Sequence, residues 1–171
     1  YPNKTDEQVL DRLSLSLEAG RSLALVGPTG CGKSTIARLL LQLYEVPKET
    51  ILLNNQCITN YQLDDVRASI SYVNQDIALF YGHSLHFNLS LGNPNISDEA
   101  IKHACQIACI DQKILTLPDR YNTIITEGGE HFSTGEMQLL ALARAIASPA
   151  ECIILDEATA SIDSLTEKHI Q

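Results

Sequence analysis

A chain of 171 residues with 44% apolar side chains is long enough to bury the core of one domain. Its 21 acidic against 12 basic residues leave a net charge of -9, which excludes a phosphate-backbone binder, because that mode needs a dense basic surface. No apolar stretch approaches the roughly 20 residues of a membrane-spanning helix, and the opening YPNKTDEQ lacks the charged-then-apolar order of a signal peptide.

Along the chain, Leu13, Leu15 and Leu17 alternate with polar residues, which predicts a strand with one buried face. Gly20 turns the chain, and the continuous apolar run Leu23 to Val26 predicts a strand buried on both faces. The stretch GPTGCGKST then bends sharply into a helix with Ile36, Leu39, Leu40 and Leu43 on one face. After Pro47 come a short strand at 51–53, a polar turn through Asn54 and Asn55, a helix over 63–69 and a strand over 70–73. From Ser84 to Leu117 the patterns are helical: a short segment after Ser84, a helix from Asp98 through Cys109, and one from Asp111 to Leu117. A helix from Thr134 to Ala147 and the apolar strand CIILD complete the pattern. Strands interleaved with helices imply an α/β fold with a largely parallel sheet.

Gly27-Pro28-Thr29-Gly30-Cys31-Gly32-Lys33-Ser34 satisfies GxxxxGK[ST] in full and lies between an expected strand and an expected helix. Glycines let successive N–H groups point at phosphate oxygens, the helix N-terminus adds partial positive charge, and Thr35 continues the turn. Lys33 would bring a full charge to the β and γ phosphates, and the Ser34 hydroxyl would coordinate magnesium. Downstream, Asp156 and Glu157 end an apolar strand, and strand ends of a parallel sheet converge on its ligand crevice. Asp156 is expected beside the phosphate turn to hold Mg2+, and Glu157 to orient and deprotonate the attacking water. The competing reading is a solvated carboxylate pair at a strand end.

The five cysteines, at 31, 57, 105, 109 and 152, are odd in number and form no CxxC pair, which suits a reducing compartment. Cys105 and Cys109 are expected to be small buried residues. His83 and His86 have no evident third ligand, and the sequons at Asn3, Asn88 and Asn95 read as coincidence.

Phe132-Ser133-Thr134-Gly135-Glu136-Met137-Gln138-Leu139, leading into ALARAI and the carboxylate strand, resembles the LSGGQ signature of the ATP-binding cassette family. The resemblance covers essentially the whole chain. It implies a P-loop NTPase core with a small antiparallel part near the N-terminus, in a single domain over 1–171 with a helical subdomain at about 76–147. It also implies ATP with Mg2+ as the bound nucleotide and ATP hydrolysis coupled to transport, with Lys33, Gln75 and Glu157 catalytic. Tyr1 resembles the aromatic residue that stacks on adenine. Gln75 resembles the glutamine that contacts magnesium and the attacking water. Ser161 and Asp163 resemble the loop between paired cassettes.

In that family two cassettes pair head to tail, so Ser133, Thr134, Gly135 and Glu136 would meet the partner's ATP. Thr123 through Glu136 is similar to exporter-type cassettes, where a glutamate such as Glu127 contacts membrane domains. The implied partners are a second cassette, in a homo- or heterodimer, and transmembrane domains at the cytoplasmic face of the membrane, with no nucleic acid.

Thr134 departs from the family's glycine and Glu136 from its glutamine. Ser133 and Glu136 can form an S-x-x-E capping box, or the carboxylate can sit unfavourably near the partner's ATP; both readings stand at this point. Against the family the chain reads as trimmed at both ends, without the later γ-phosphate histidine, so weak or no hydrolysis is expected of it alone. The alternatives are a soluble cassette ATPase, disfavoured by the negative charge and the short stretch between Gln75 and Ser133, and a nucleotide-binding regulatory module without turnover.

Overall fold

The computed structural model describes residues 9–74, 77–127 and 131–156. They fall into two compact units, one up to Arg67 and one from Ala68 onward.

In the first unit, helix α1 spans Lys33–Leu40. It ends where Gln42 adopts a positive φ of 49°, so the expected helical run to Leu43 stops short and Leu43 is exposed. Strands β1 (Leu52–Leu53) and β2 (Gln56–Cys57) pair antiparallel, Leu52 opposite Cys57 and Leu53 opposite Gln56. The two turn residues, Asn54 and Asn55, both have positive φ, the backbone twist that favours asparagine in a two-residue hairpin. Gln42 Nε2 donates to the carbonyl of buried Ile58 at 2.8 Å, and the Tyr61 hydroxyl donates to the Leu53 carbonyl at 3.0 Å.

The expected strands at Leu13–Leu17 and Leu23–Val26 are not formed among the described residues. The Gly20 turn is present, with Arg21 N donating to the Glu18 carbonyl. However, Leu13, Leu15, Leu17, Leu23 and Leu25 stay exposed, and Val26 is 95% exposed. A strand exists only when a neighbour takes its N–H and C=O groups, and alternation cannot supply that neighbour.

In the second unit, β3 (Ile70–Val73) runs parallel to β4 (Cys152–Leu155), from Ile70 opposite Cys152 to Val73 opposite Leu155. The ladder is extended at both ends by Glu151 N to the Ser69 carbonyl and Asp156 N to the Val73 carbonyl. Helix α2, Leu63–Ser69, begins in the first unit and leads along the chain into β3. A parallel pair needs a long crossover, and here it carries α3 (Leu85–Ser90), α4 (Asp98–Ile107), α5 (Asp111–Thr116) and α6 (Thr134–Ala147).

Serine starts three of these helices: the Oγ atoms of Ser84, Ser97 and Ser133 accept from Phe87, Ala100 and Glu136 N–H, satisfying orphan donors of the first turn. Helix α6 is the hub, buried along most of its length against α3 and α4. Leu85, Leu89, Ile101, Cys105, Ile110, Ile114 and Leu140 form one core with it, each large aliphatic side chain contributing about 1.5–3 kcal/mol by leaving water. Cys105 is buried as expected, whereas Cys109 is exposed: its φ of 58° belongs to the turn that ends α4 at Ile107, two residues before the predicted boundary.

A polar seam crosses this core. Asn88, 1% exposed, accepts from Phe80 N at 2.7 Å and donates to the Phe80 and Ser84 carbonyls at 3.0 and 3.1 Å. From α6, Arg144 donates to the carbonyls of Asn88 (2.8 Å) and Ala78 (3.0 Å). A side chain so enclosed cannot carry a glycan, in line with the reading of its sequon as coincidence.

Candidate functional site

The turn before α1 is built from backbone. Gly30 and Gly32 have φ of 84° and 100°, which only glycine adopts without strain. The Gly32 carbonyl accepts from both Thr35 N and Ile36 N at 3.1 Å and so starts the helix. No carbonyl among the described residues accepts from the N–H groups of Gly30, Gly32, Lys33 or Ser34. Four donors at a helix N-terminus make a cradle for an anion, and this fits the phosphates of a nucleotide.

Lys33 closes the turn on itself: its Nζ donates to the Gly27 carbonyl at 2.8 Å and the Pro28 carbonyl at 3.1 Å, with Cys31 Sγ at 3.9 Å. An ammonium held by neutral carbonyls can exchange them for phosphate oxygens and gain acceptors of opposite charge.

In the second unit, the parallel register brings two strand ends together. Asp156 follows β4, and its Oδ2 accepts from the Tyr72 hydroxyl of β3 at 2.9 Å. That contact constrains the carboxylate's rotation, and among the described residues no hydrogen bond reaches Oδ1. Asp156 and the phosphate turn belong to different units. Tyr1, Gln75, Glu157, Ser161 and Asp163 lie outside the described residues.

The segment opening α6 shows the capping box complete. Ser133 Oγ accepts from Glu136 N at 3.2 Å, and Glu136 Oε2 accepts from Ser133 N at 2.7 Å. Thr134 and Gly135 form the first turn between them. Glu136 Oε1 faces Lys113 Nζ of α5 at 3.4 Å. Burial pushes the Glu136 carboxyl upward, but the Ser133 hydrogen bonds and the Lys113 charge outweigh it and hold it below the usual range. Glu127 is exposed.

Sequence reasoning missed Tyr72, Lys113 and the Arg144–Asn88 seam. Tyr72 carries the faintest trace of a signal, an aromatic hydroxyl on a strand that must end near the carboxylates. Lys113 carries none, since its link to Glu136 is made across two helices.

The sequence profile described as "ABC transporter" matches residues 10–160. The ATP-dependent lipid A-core flippase 2 of Colwellia psychrerythraea is 42% identical over 100% of this chain, which covers 29% of the flippase. The mitochondrial iron-sulfur clusters transporter atm1 of Aspergillus fumigatus is 40% identical over 95% of the chain, which covers 22% of that protein. A solved bacterial Atm1-family ABC exporter with ATP bound superimposes with a TM-score of 0.87 at 35% identity, over 98% of this chain and 29% of the exporter. The chain thus spans less than a third of the length of the proteins it matches.

Proposed function

Because this chain belongs to the ABC transporter family, as an exporter-type ATPase domain with that family's P-loop NTPase fold, we propose that it is the motor of a membrane exporter, closing on a second cassette with MgATP between them and reopening after hydrolysis. The observation that carries this reading is the turn from Gly27 to Ser34: four N–H donors with no carbonyl partner among the described residues, and one ammonium parked on its own carbonyls.

In this reading the backbone N–H groups from Gly30 to Ser34 bind the phosphates, and Lys33 leaves Gly27 and Pro28 for the β and γ oxygens. The remaining turn residues, Pro28, Thr29, Cys31 and Thr35, shape the cradle, and Tyr1 stacks on the base. Ser34, Asp156 and Gln75 would hold the magnesium, which would draw charge from the phosphates. Tyr72 keeps Asp156 aimed. Glu157 takes the proton of the attacking water. Ser133, Thr134, Gly135 and Glu136 complete the partner's site, with Ser161 and Asp163 between the two copies. Residues at about 76–147 act as the helical subdomain, Glu127 meets the transmembrane part, and the assembly works at the cytoplasmic face.

Two variants of the complete transporter test this. Glu157→Gln is expected to keep ATP binding, abolish turnover and trap a closed dimer, measured by nucleotide binding, phosphate release and cross-linking. Lys33→Ala is expected to lose binding by about 10- to 100-fold, the loss of one charge-assisted pair of about 1.5–3 kcal/mol. Unchanged turnover in Glu157→Gln would remove it as the base, and a wild-type protein that binds ATP without hydrolysing it would be a regulatory module instead.

A further inference from the structure

Glu136 stands where the family's signature carries an uncharged glutamine, in a segment proposed to meet the partner's nucleotide. A free carboxylate there would oppose the γ-phosphate charge across the interface. Both oxygens of Glu136 are instead engaged within its own chain: Oε2 by the Ser133 N–H at 2.7 Å, Oε1 by Lys113 Nζ at 3.4 Å. Glu136 sits in the first turn of α6, where a negative charge is stabilised, and Lys113 is brought to it by the packing of α5 in the same core as α6.

We propose that Lys113 is a positioning residue for the signature: it neutralises Glu136 and holds the carboxylate in the capping box, so that the segment meets a nucleotide as an uncharged signature would. The inference rests on the reading of residues 133–136 as the partner-facing signature. It resolves the two readings of Glu136 in favour of the capping box, with the carboxylate no longer unfavourable to the partner's ATP. The downward displacement of the Glu136 carboxyl agrees with such engagement.

The test is steady-state ATPase kinetics of the complete transporter. Lys113→Met, which keeps length and removes charge, is expected to raise KM for ATP about fivefold, the factor for about 1 kcal/mol. Because the pair is half-exposed, with 36% and 28% of the side chains accessible, the melting temperature should hold, so a structural role alone would not move KM. Adding Glu136→Gln to Lys113→Met should bring KM back to within about twofold of wild type, since the unneutralised charge is gone. An unchanged KM in Lys113→Met, or no recovery in the double variant, overturns the proposal. Gly135→Asp separates the layers. If it abolishes turnover while Lys113→Met has no effect, only the role of Lys113 falls; if turnover survives it, the signature reading falls and the role of Lys113 with it.

Discussion

Gly32 shows how little room a phosphate turn leaves. At φ 100° a side chain is strained already, and a Cβ there would lie 2.8 Å from Leu10 Cδ2 and 3.4 Å from the Val9 carbonyl oxygen. Gly30 shares the positive φ but has nothing within 4 Å of its would-be Cβ. Gly32→Ala is therefore expected to cost about 1–2 kcal/mol for the left-handed backbone plus the displacement of Leu10, and Gly30→Ala the backbone cost alone. Thermal melting ranks the two, and equal shifts would mean that Leu10 yields freely. Nucleotide affinity should fall in both, because a tilted peptide misaims its N–H. At this scale the sequence was highly legible: a glycine requirement is local, set by φ and by neighbours a few residues away. Tyr72 was not, because its hydroxyl meets Asp156, 84 residues on.

Among the elements, α6 organises the second unit, and the Asn88–Arg144 seam ties it to α3 and to the segment just after residue 76. Truncating Asn88 to alanine would leave the Phe80 N–H and the Phe80 carbonyl short of partners, while the Ser84 carbonyl keeps the Asn88 N–H, a loss of about 2–3 kcal/mol. Arg144→Met would strip the Asn88 and Ala78 carbonyls of their donors and cost about 1–3 kcal/mol. Burial of Arg144 already lowers its pKa, a sign that its charge is held at the expense of solvation. The two losses share Asn88 and should not add; a urea-denaturation double-mutant cycle that came out additive would show two separate contacts. Helix starts were readable because capping is a local bond from Ser84, Ser97 or Ser133 to an N–H three residues on. The strands expected at 13–17 and 23–26 are not formed among the described residues, since pairing requires a partner elsewhere in the chain.

For the whole molecule, stability must depend on pH at both ends of the scale. Burial pushes the Cys105 thiol from 9.0 up to about 11, so the unfolded chain ionises first. The resulting stabilisation is present below pH 9.0 and is lost as pH rises toward about 11. Tyr121, raised chiefly by burial and then by Cys105, adds to the same alkaline loss. Glu136 has the opposite sense: with its carboxyl lowered in the fold, its contribution is present above the ordinary value of 4.5 and lost as pH falls below it. The urea midpoint should thus decline between pH 9 and pH 11, and Cys105→Ala, less stable at neutral pH for lost packing, should decline less steeply. An unaltered slope would clear Cys105 of that role.

The amino-acid sequence by itself determined the features carried by contiguous residues: the phosphate turn, the serine caps, the apolar strand at 152–155 and the family to which the chain belongs. Each depends on backbone dihedrals, donors and charges within a few positions. Only the tertiary structure decided that Tyr72 orients Asp156, that Asn88 and Arg144 close a buried seam, and that Lys113 answers the carboxylate at 136. Those pairs lie 23 to 84 residues apart, and their distances are set by how helices and strands pack, which no local pattern of side chains encodes.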